Sequence, residues 1–139
     1  MPYKILPHTA DWMVEATGNT LEEAFAEAAR GAFEVICPPD EVRKAQSFPI
    51  KVQAKRLMSL LYEFIEELIV LTDTEGFLLN SLSDMKIVQN EDGFTLTAIA
   101  WGDHYKNYDV KSAIKSMTYS DMLIKEEQGK YRVRITVDI

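Results

Sequence analysis

TLEEAFAEAARGAFEVI, residues 20–36, carries the clearest structural signal in the chain. Its apolar residues recur at the i, i+3, i+4, i+7 spacing of one helix face, while most of its glutamates fall on the other side. Thr20 and Glu23 have the spacing of a capping box, in which the threonine caps the first turn and the glutamate reaches back. The stretch therefore predicts an amphipathic helix whose alanine-rich face lies close against a sheet.

Outward from this helix, the rest of the chain predicts an α+β protein. A second helix is expected over about residues 56–72, and it is apolar on so many sides that it must be heavily buried. The second half of the chain is β-rich, with a hairpin signal at Asp92-Gly93 and a polar loop at residues 102–108. The sequence of residues 111–117 does not distinguish between a loop, a strand and a short turn. Strands are expected at residues 3–6, 12–17, 48–54, 77–89, 94–101, 118–127 and 131–139. We expect two helices packed on a mixed or antiparallel sheet, in a single domain over residues 1–139.

Composition narrows the classes of function. The chain has 139 residues and a net charge of −7, which argues against strong direct nucleic-acid binding because phosphate contacts need lysine and arginine. The acidity fits a basic protein partner or a cation site. The single cysteine, Cys37, allows no intrachain disulfide and fits a reducing compartment. No signal peptide and no charge-free window of about 18 residues is present, so we expect a cytoplasmic protein without a membrane segment.

The final strand raises the possibility of a metal site. Period two places Arg132, Arg134, Thr136 and Asp138 on one face, and the α-carboxylate of Ile139 lies one residue beyond Asp138. If this strand end meets Asp11, three carboxylates converge and repel one another unless a cation lies among them. An all-oxygen site of this kind suits Ca²⁺, Mg²⁺ or Mn²⁺. The ordinary alternative, which the sequence alone favours, is a solvated C-terminus.

The region around Asp11 has an ordinary explanation as well. Residues 7–11, Pro-His-Thr-Ala-Asp, connect two short strand-like pieces, and threonine and aspartate oxygens commonly bond backbone N–H groups in such turns. Asp73 also has two interpretations. We expect the second helix to end by about Leu71 and Asp73 to lie in a solvated loop. The alternative is that Asp73 binds a cation or contacts a basic surface of a partner.

No enzymatic constellation is evident. His8, His104 and Cys37 are too scattered for a zinc site, and neither a phosphate-binding glycine loop nor a nucleophile motif is present. Lys111 and Lys115 are either solvated charges or contacts for a phosphate or a partner carboxylate. An adaptor or activator is therefore favoured over an enzyme.

Six motifs stand in chain order: His8-Thr9-Ala10-Asp11, Leu21-Glu22-Glu23-Ala24-Phe25, Asp73-Thr74-Glu75-Gly76, Trp101-Gly102-Asp103, Lys115-Ser116-Met117-Thr118-Tyr119 and Val137-Asp138-Ile139. Together they resemble the archease family. The resemblance implies a small α+β cofactor of the GTP-dependent RNA-splicing ligase, which joins tRNA halves bearing a 2′,3′-cyclic phosphate or 3′-phosphate to a 5′-hydroxyl. It also implies that the protein promotes guanylylation and multiple turnover of the ligase and can broaden its nucleotide use.

Carried over residue by residue, the resemblance assigns a metal site, commonly for calcium, to Asp11, Asp138 and Ile139. It assigns the activating lysine to Lys115. One departure is Ser120, which stands where the family usually has histidine after Thr-Tyr; another is an aspartate after Gly102 where glutamate is usual. Weaker site candidates are His8, Asp73 and Asp103.

Two rival functions remain beside this one. The first is a chaperone-like adaptor in RNA processing that needs no metal. The second is a small-molecule enzyme that uses Asp11, Asp138 and a metal, for which the sequence offers no nucleophile or base.

Overall fold

The computed structural model describes residues 2–6 and 11–139, so His8 lies outside the described residues. Within these described residues, two α-helices and seven strands confirm the α+β class. The helices are α1 (Leu21–Phe33) and α2 (Leu57–Glu75). The strands are β1 (Tyr3–Leu6), β2 (Asp11–Gly18), β3 (Gln46–Ala54), β4 (Phe77–Asn90), β5 (Gly93–His104), β6 (Ser116–Glu127) and β7 (Lys130–Asp138).

The strands form two antiparallel sheets. The first has the order β1-β2-β7-β6 and the second the order β3-β5-β4. The last strand of the chain, β7, is internal to the first sheet, and Val133, Ile135 and Val137 on one of its faces are fully buried. The two ends of the described chain therefore meet in one sheet, through the pairing of β2 with β7.

The first helix forms as its sequence predicts, with two differences at its ends. The Thr20 hydroxyl accepts a hydrogen bond from the N–H of Glu23 at 3.1 Å. The Glu23 carboxylate reaches back to the N–H of Asn19 at 2.8 Å, one residue before the cap. The helix ends at Phe33 rather than at residue 36. Its alanine face packs on β2, and the buried residues of this face include Ala24, Ala28, Ala29 and Ala32.

The second helix is longer than expected. Our expectation that it ends by about Leu71 is wrong, because helical structure continues to Glu75 and places Asp73 in the last turn. Gly76 stops it: its φ of 68° is left-handed, and its N–H bonds to the carbonyls of Leu71 and Thr72. The helix is deeply buried, as predicted, at Leu60, Leu61, Phe64, Ile65 and Leu68. No helix in the described part of the chain is long and apolar enough to cross a membrane.

The connection between β5 and β6 begins later than the loop expected over residues 102–108. Strand β5 continues to His104, and a single 3₁₀ turn follows. Residues 109–115 then cross the molecule without regular structure. The N–H of Lys111 bonds to the carbonyl of Ile36 at 3.0 Å, and the N–H of Lys115 bonds to the carbonyl of Asp138 at 2.8 Å. The second of these bonds places the backbone of Lys115 beside the end of β7.

Candidate functional site

A row of polar residues crosses three strands at one end of the first sheet. Asp138 of β7 lies opposite Asp11 of β2 on one side and opposite Ser116 of β6 on the other. Directly opposite residues in an antiparallel pair project from the same face, so the three side chains share one face. The Ser116 hydroxyl donates to Oδ2 of Asp138 at 3.2 Å. The structure thus brings together the two aspartates, and Ser116 is a member of the group that sequence reasoning missed.

The electrostatics of this row favour a cation. Like charges directly opposite in a sheet repel, and Asp11 and Asp138 are both half-buried. Within residues 2–6 and 11–139, Asp138 makes no ion pair with lysine or arginine. The α-carboxylate of Ile139 follows at once, in a residue that is also half-buried. The available donors are all oxygens, which is the ligand type of Ca²⁺ and Mg²⁺.

Side-chain carboxylates supply only part of a coordination shell. Among the described residues, no group of three or more His, Cys, Asp or Glu side chains is placed to hold a metal ion. Calcium takes about 6–8 oxygen ligands. The Ile139 α-carboxylate and water are the donors that would complete a shell begun by Asp11 and Asp138.

Thr136 corrects our expectation for the outer face of β7. The sequence placed it on the polar face with Arg132, Arg134 and Asp138, but it is 0% exposed and its hydroxyl has no hydrogen-bond partner among the described residues. Its neighbour across the β2–β7 pair is Met13, which is 8% exposed. Period two places Thr136 on the same face as Asp138. The Thr136 hydroxyl is therefore a buried oxygen without a hydrogen-bond partner among the described residues, two residues before Asp138 on the same face of β7.

A part-buried ion pair supports the register that creates the row. Glu15 of β2 lies opposite Arg134 of β7, and Nε and Nη2 of Arg134 bond to Oε2 of Glu15 at 3.1 and 2.8 Å. This hydrogen bonding is the main reason that the pKa of Glu15 lies below its ordinary value. Because a slip of one residue would turn every side chain to the other face, the pair holds Asp11 opposite Asp138.

Lys115 stands beside this row with its side chain exposed. The strand that it precedes is anchored to α2, because the N–H of Met117 bonds to Oε2 of Glu66 at 2.9 Å. The rings of Tyr62 and Tyr119 also stack at 4.5 Å with an interplanar angle of 16°. Burial is the main reason that the pKa of Tyr62 is raised. Lys115 is therefore an exposed cation on a firmly held backbone.

Ser120 lies in an irregular part of β6. The register of β6 with β7 breaks between Thr118 and Leu123, and Asp121 has a φ of 55°. The N–H of Ser120 bonds to the hydroxyl of Thr118 at 3.1 Å. The residue after Thr118-Tyr119 is thus an exposed bulge residue in this chain.

Asp103 organises its own loop. Its carboxylate accepts hydrogen bonds from the N–H of His104 at 2.8 Å, from Nδ2 of Asn107 at 3.2 Å and from the hydroxyl of Tyr108 at 2.8 Å. These bonds, led by that of His104, lower the pKa of Asp103. Asp103 belongs to β5 in the second sheet, whereas Asp11 and Asp138 belong to the first.

Asp73 is exposed in the last turn of α2, where no basic residue is present. A carboxylate at a helix C-terminus opposes the helix dipole at a cost of about 0.3–1 kcal/mol when exposed. No ion pair to Asp73 is found in the part of the chain that the structure describes. Asp73 also lines a pocket that ends near Ile114, so its unneutralised charge faces a surface depression.

Comparison with known proteins gives a consistent result over nearly the whole chain. The sequence model of the Archease protein family matches residues 3–139. Protein archease of Aeropyrum pernix is 42% identical over 134 residues, covering 95% of this chain and 93% of that protein. Protein archease of Pyrococcus abyssi is 36% identical over 135 residues, covering 95% and 94%.

Two solved structures share the fold. The solution structure of Methanobacterium thermoautotrophicum protein 1598 superposes with a TM-score of 0.84 at 28% identity and covers 99% of both chains. A crystal structure from Thermotoga maritima, described as an archease and possible chaperone, gives a TM-score of 0.61 at 16% identity and covers 98% of this chain and 96% of that one.

Proposed function

This chain belongs to the archease family, and on that premise we propose that it is a metal-binding activator of the GTP-dependent RNA-splicing ligase. In this role it promotes guanylylation of the ligase, gives the ligase multiple turnover and broadens its nucleotide use. It works through its protein partner, in the cytoplasm, and has no catalytic residues of its own. The observation that supports the proposal most is the pairing of Asp11 with Asp138 beside Lys115.

The residues of the aspartate row fit a divalent cation, calcium above all. Asp11, Asp138 and the Ile139 α-carboxylate would hold it, and Ser116 would orient Asp138 through its hydrogen bond. The ion would supply positive charge that offsets the repulsion between the carboxylates. The protein's own contribution is the register of β2 on β7, which the Glu15–Arg134 pair maintains.

Lys115 is the residue proposed to act on the ligase. Its ammonium is a compact point charge on a flexible stem, which suits a phosphate or a partner carboxylate. Its backbone is held by the Asp138 carbonyl at 2.8 Å, so a change at the metal site also changes where the lysine is presented. This link gives a physical route from the cation to activation of the ligase.

The surface charge suits a protein partner better than free RNA. A net charge of −7 disfavours direct phosphate contacts and would speed docking against the basic mouth of a nucleotide-binding channel. Electrostatic complementarity changes the rate of association more than the affinity. We therefore expect salt to slow the assembly of the complex.

The test is guanylylation of the ligase with labelled GTP, in calcium or in chelator. Wild-type protein with calcium should raise the fraction of guanylylated ligase, and Lys115→Ala should abolish the effect while it binds calcium normally. One glycine added after Ile139 should weaken calcium binding, and Asp92→Asn, in a hairpin of the other sheet, serves as the control. Equal stimulation in chelator would favour a metal-independent chaperone-like adaptor, and unchanged calcium affinity of the extended chain would remove Ile139 from the site.

A further inference from the structure

A pocket of about 400 Å³ opens between the C-terminal half of α2 and the connection from β5 to β6. We call it the α2-end pocket. It lies outside the aspartate row, and its volume falls in the range of roughly 300–1,000 Å³ that is usual for ligand pockets. Its lining is mostly apolar and includes Ile36, Ile69, Leu78, Ile114, Asp73 and Tyr105.

Backbone hydrogen bonds hold the outer wall of the pocket in place. The N–H of Tyr105 bonds to the carbonyl of Gly76 at 2.9 Å, and the N–H of Lys111 bonds to the carbonyl of Ile36 at 3.0 Å. Lys115, just beyond the wall, is tied to Asp138. A wall fixed in this way makes the pocket preformed, and a preformed pocket avoids part of the ordering cost of binding.

The pocket combines exposed apolar surface with one unneutralised charge. At its rim, Tyr105 is 48% exposed and Val110 is 41% exposed. Among the described residues that line it, Asp73 alone carries a charge. Asp73 lies at the negative end of the α2 dipole, where cations are favoured. A ligand of this pocket should therefore insert an apolar group against the lining and carry a positive charge near Asp73.

We propose that the α2-end pocket receives an apolar side chain of the ligase whose neighbour in the ligase sequence is lysine or arginine. The apolar side chain lies against Ile69 and Ile114, and the basic neighbour pairs with Asp73. This inference rests on the proposed function, because it assigns the pocket to the same partner as Lys115. One continuous segment supports that assignment, since the pocket wall runs directly into Lys115.

The test is the affinity of the ligase for variants of this chain, measured by calorimetry at several salt concentrations. Asp73→Lys should weaken binding at least tenfold at low salt and flatten the salt dependence. Because this change also relieves the unfavourable dipole interaction, the free variant should melt at or above the wild-type temperature. Ala113→Trp, which fills the pocket from an exposed position of its lining, should weaken binding at least tenfold at every salt concentration.

Glu91→Lys is the matched control, because it makes the same charge change at an exposed turn between β4 and β5. It should bind within twofold of wild type. If wild type binds and both pocket variants also bind within twofold, the pocket assignment is overturned and the proposed function stands. If wild type does not bind the ligase, both the pocket assignment and the proposed function are overturned. Self-association of wild type in sedimentation that Ala113→Trp abolishes would identify a second copy of this chain as the occupant and would overturn the proposal.

Discussion

Asp11 of β2 and Asp138 of β7 are direct cross-strand partners in the first sheet, near opposite ends of the sequence. Two half-buried carboxylates in this relationship oppose folding, because like charges directly opposite in a sheet are destabilising. In the proposed metal site, a cation bound between them would offset this repulsion.

Asp138→Asn should consequently have opposite effects with and without calcium. In chelator we expect the free energy of unfolding to rise by about 0.2–1 kcal/mol, the size of a cross-strand charge interaction. In calcium at 100 times the dissociation constant, wild type should gain about 2.7 kcal/mol by ligand linkage, and the variant should gain little. Chemical denaturation in both buffers checks this. A variant that keeps the full calcium-dependent gain would contradict Asp138 as a ligand.

The Glu15–Arg134 pair makes a prediction for the dependence of stability on pH. Because the pKa of Glu15 is lowered in the folded protein, its ionised form stabilises the fold above the unfolded pKa of about 4.3, and this contribution is lost as the pH falls through the folded pKa. Glu15→Gln should thus be less stable than wild type at pH 7, by roughly 1–3 kcal/mol for a hydrogen bond to a charged group. Urea denaturation from pH 7 down to pH 3 should show the two proteins converging. A constant difference over this range would contradict the assignment.

Thr136 offers a test of the buried hydroxyl. Since its oxygen has no partner among the described residues, Thr136→Val removes an unsatisfied group and keeps the shape. We expect the free energy of unfolding to rise by about 1 kcal/mol, at the lower end of the cost of an unsatisfied polar group. Thr136→Ser, which keeps the hydroxyl and loses a methyl, should be less stable than wild type by about 0.8 kcal/mol. If the valine variant has a lower free energy of unfolding than the serine variant, the Thr136 hydroxyl must make a hydrogen bond in the folded protein.

Gly76 should tolerate no side chain. Its φ of 68° is left-handed, which costs other residues roughly 1–2 kcal/mol. A Cβ at this position would also clash with Nε2 of His104. Gly76→Ala should therefore lower the free energy of unfolding by more than about 1 kcal/mol, measured by thermal and chemical denaturation. Gly129→Ala is a useful comparison, because it has a similar φ of 78° with nothing within 4 Å of the added Cβ. Equal losses at the two glycines would mean that the imidazole contact is unimportant.

The elements of this fold were predictable where the signal is local. The spacing of alanine and phenylalanine in α1 and the apolar character of α2 gave both helices. The end of α2 was misplaced because Asp73 and Glu75 look like loop residues, whereas the left-handed Gly76 sets the true boundary.

From the sequence, the candidate site could be predicted only on the condition that the end of β7 meets Asp11. Period two places Asp138 on a face, but no local pattern tells which strand lies beside it, so the meeting with Asp11 required the structure. The same limit hid Ser116, whose role depends on the pairing of β6 with β7. The burial of Thr136 was not predictable, because alternation does not tell whether the polar face is covered, and here both faces of β7 are covered at that position.

The most direct test of the account is multiple-turnover RNA ligation with limiting ligase in calcium, comparing wild-type protein, Asp138→Ala and no addition. We predict that wild type raises the number of products per ligase molecule and that the variant, shown to be folded, leaves it at the level without addition. Stimulation by both proteins would contradict the proposed metal site, and stimulation by neither, with an active ligase, would contradict the proposed function.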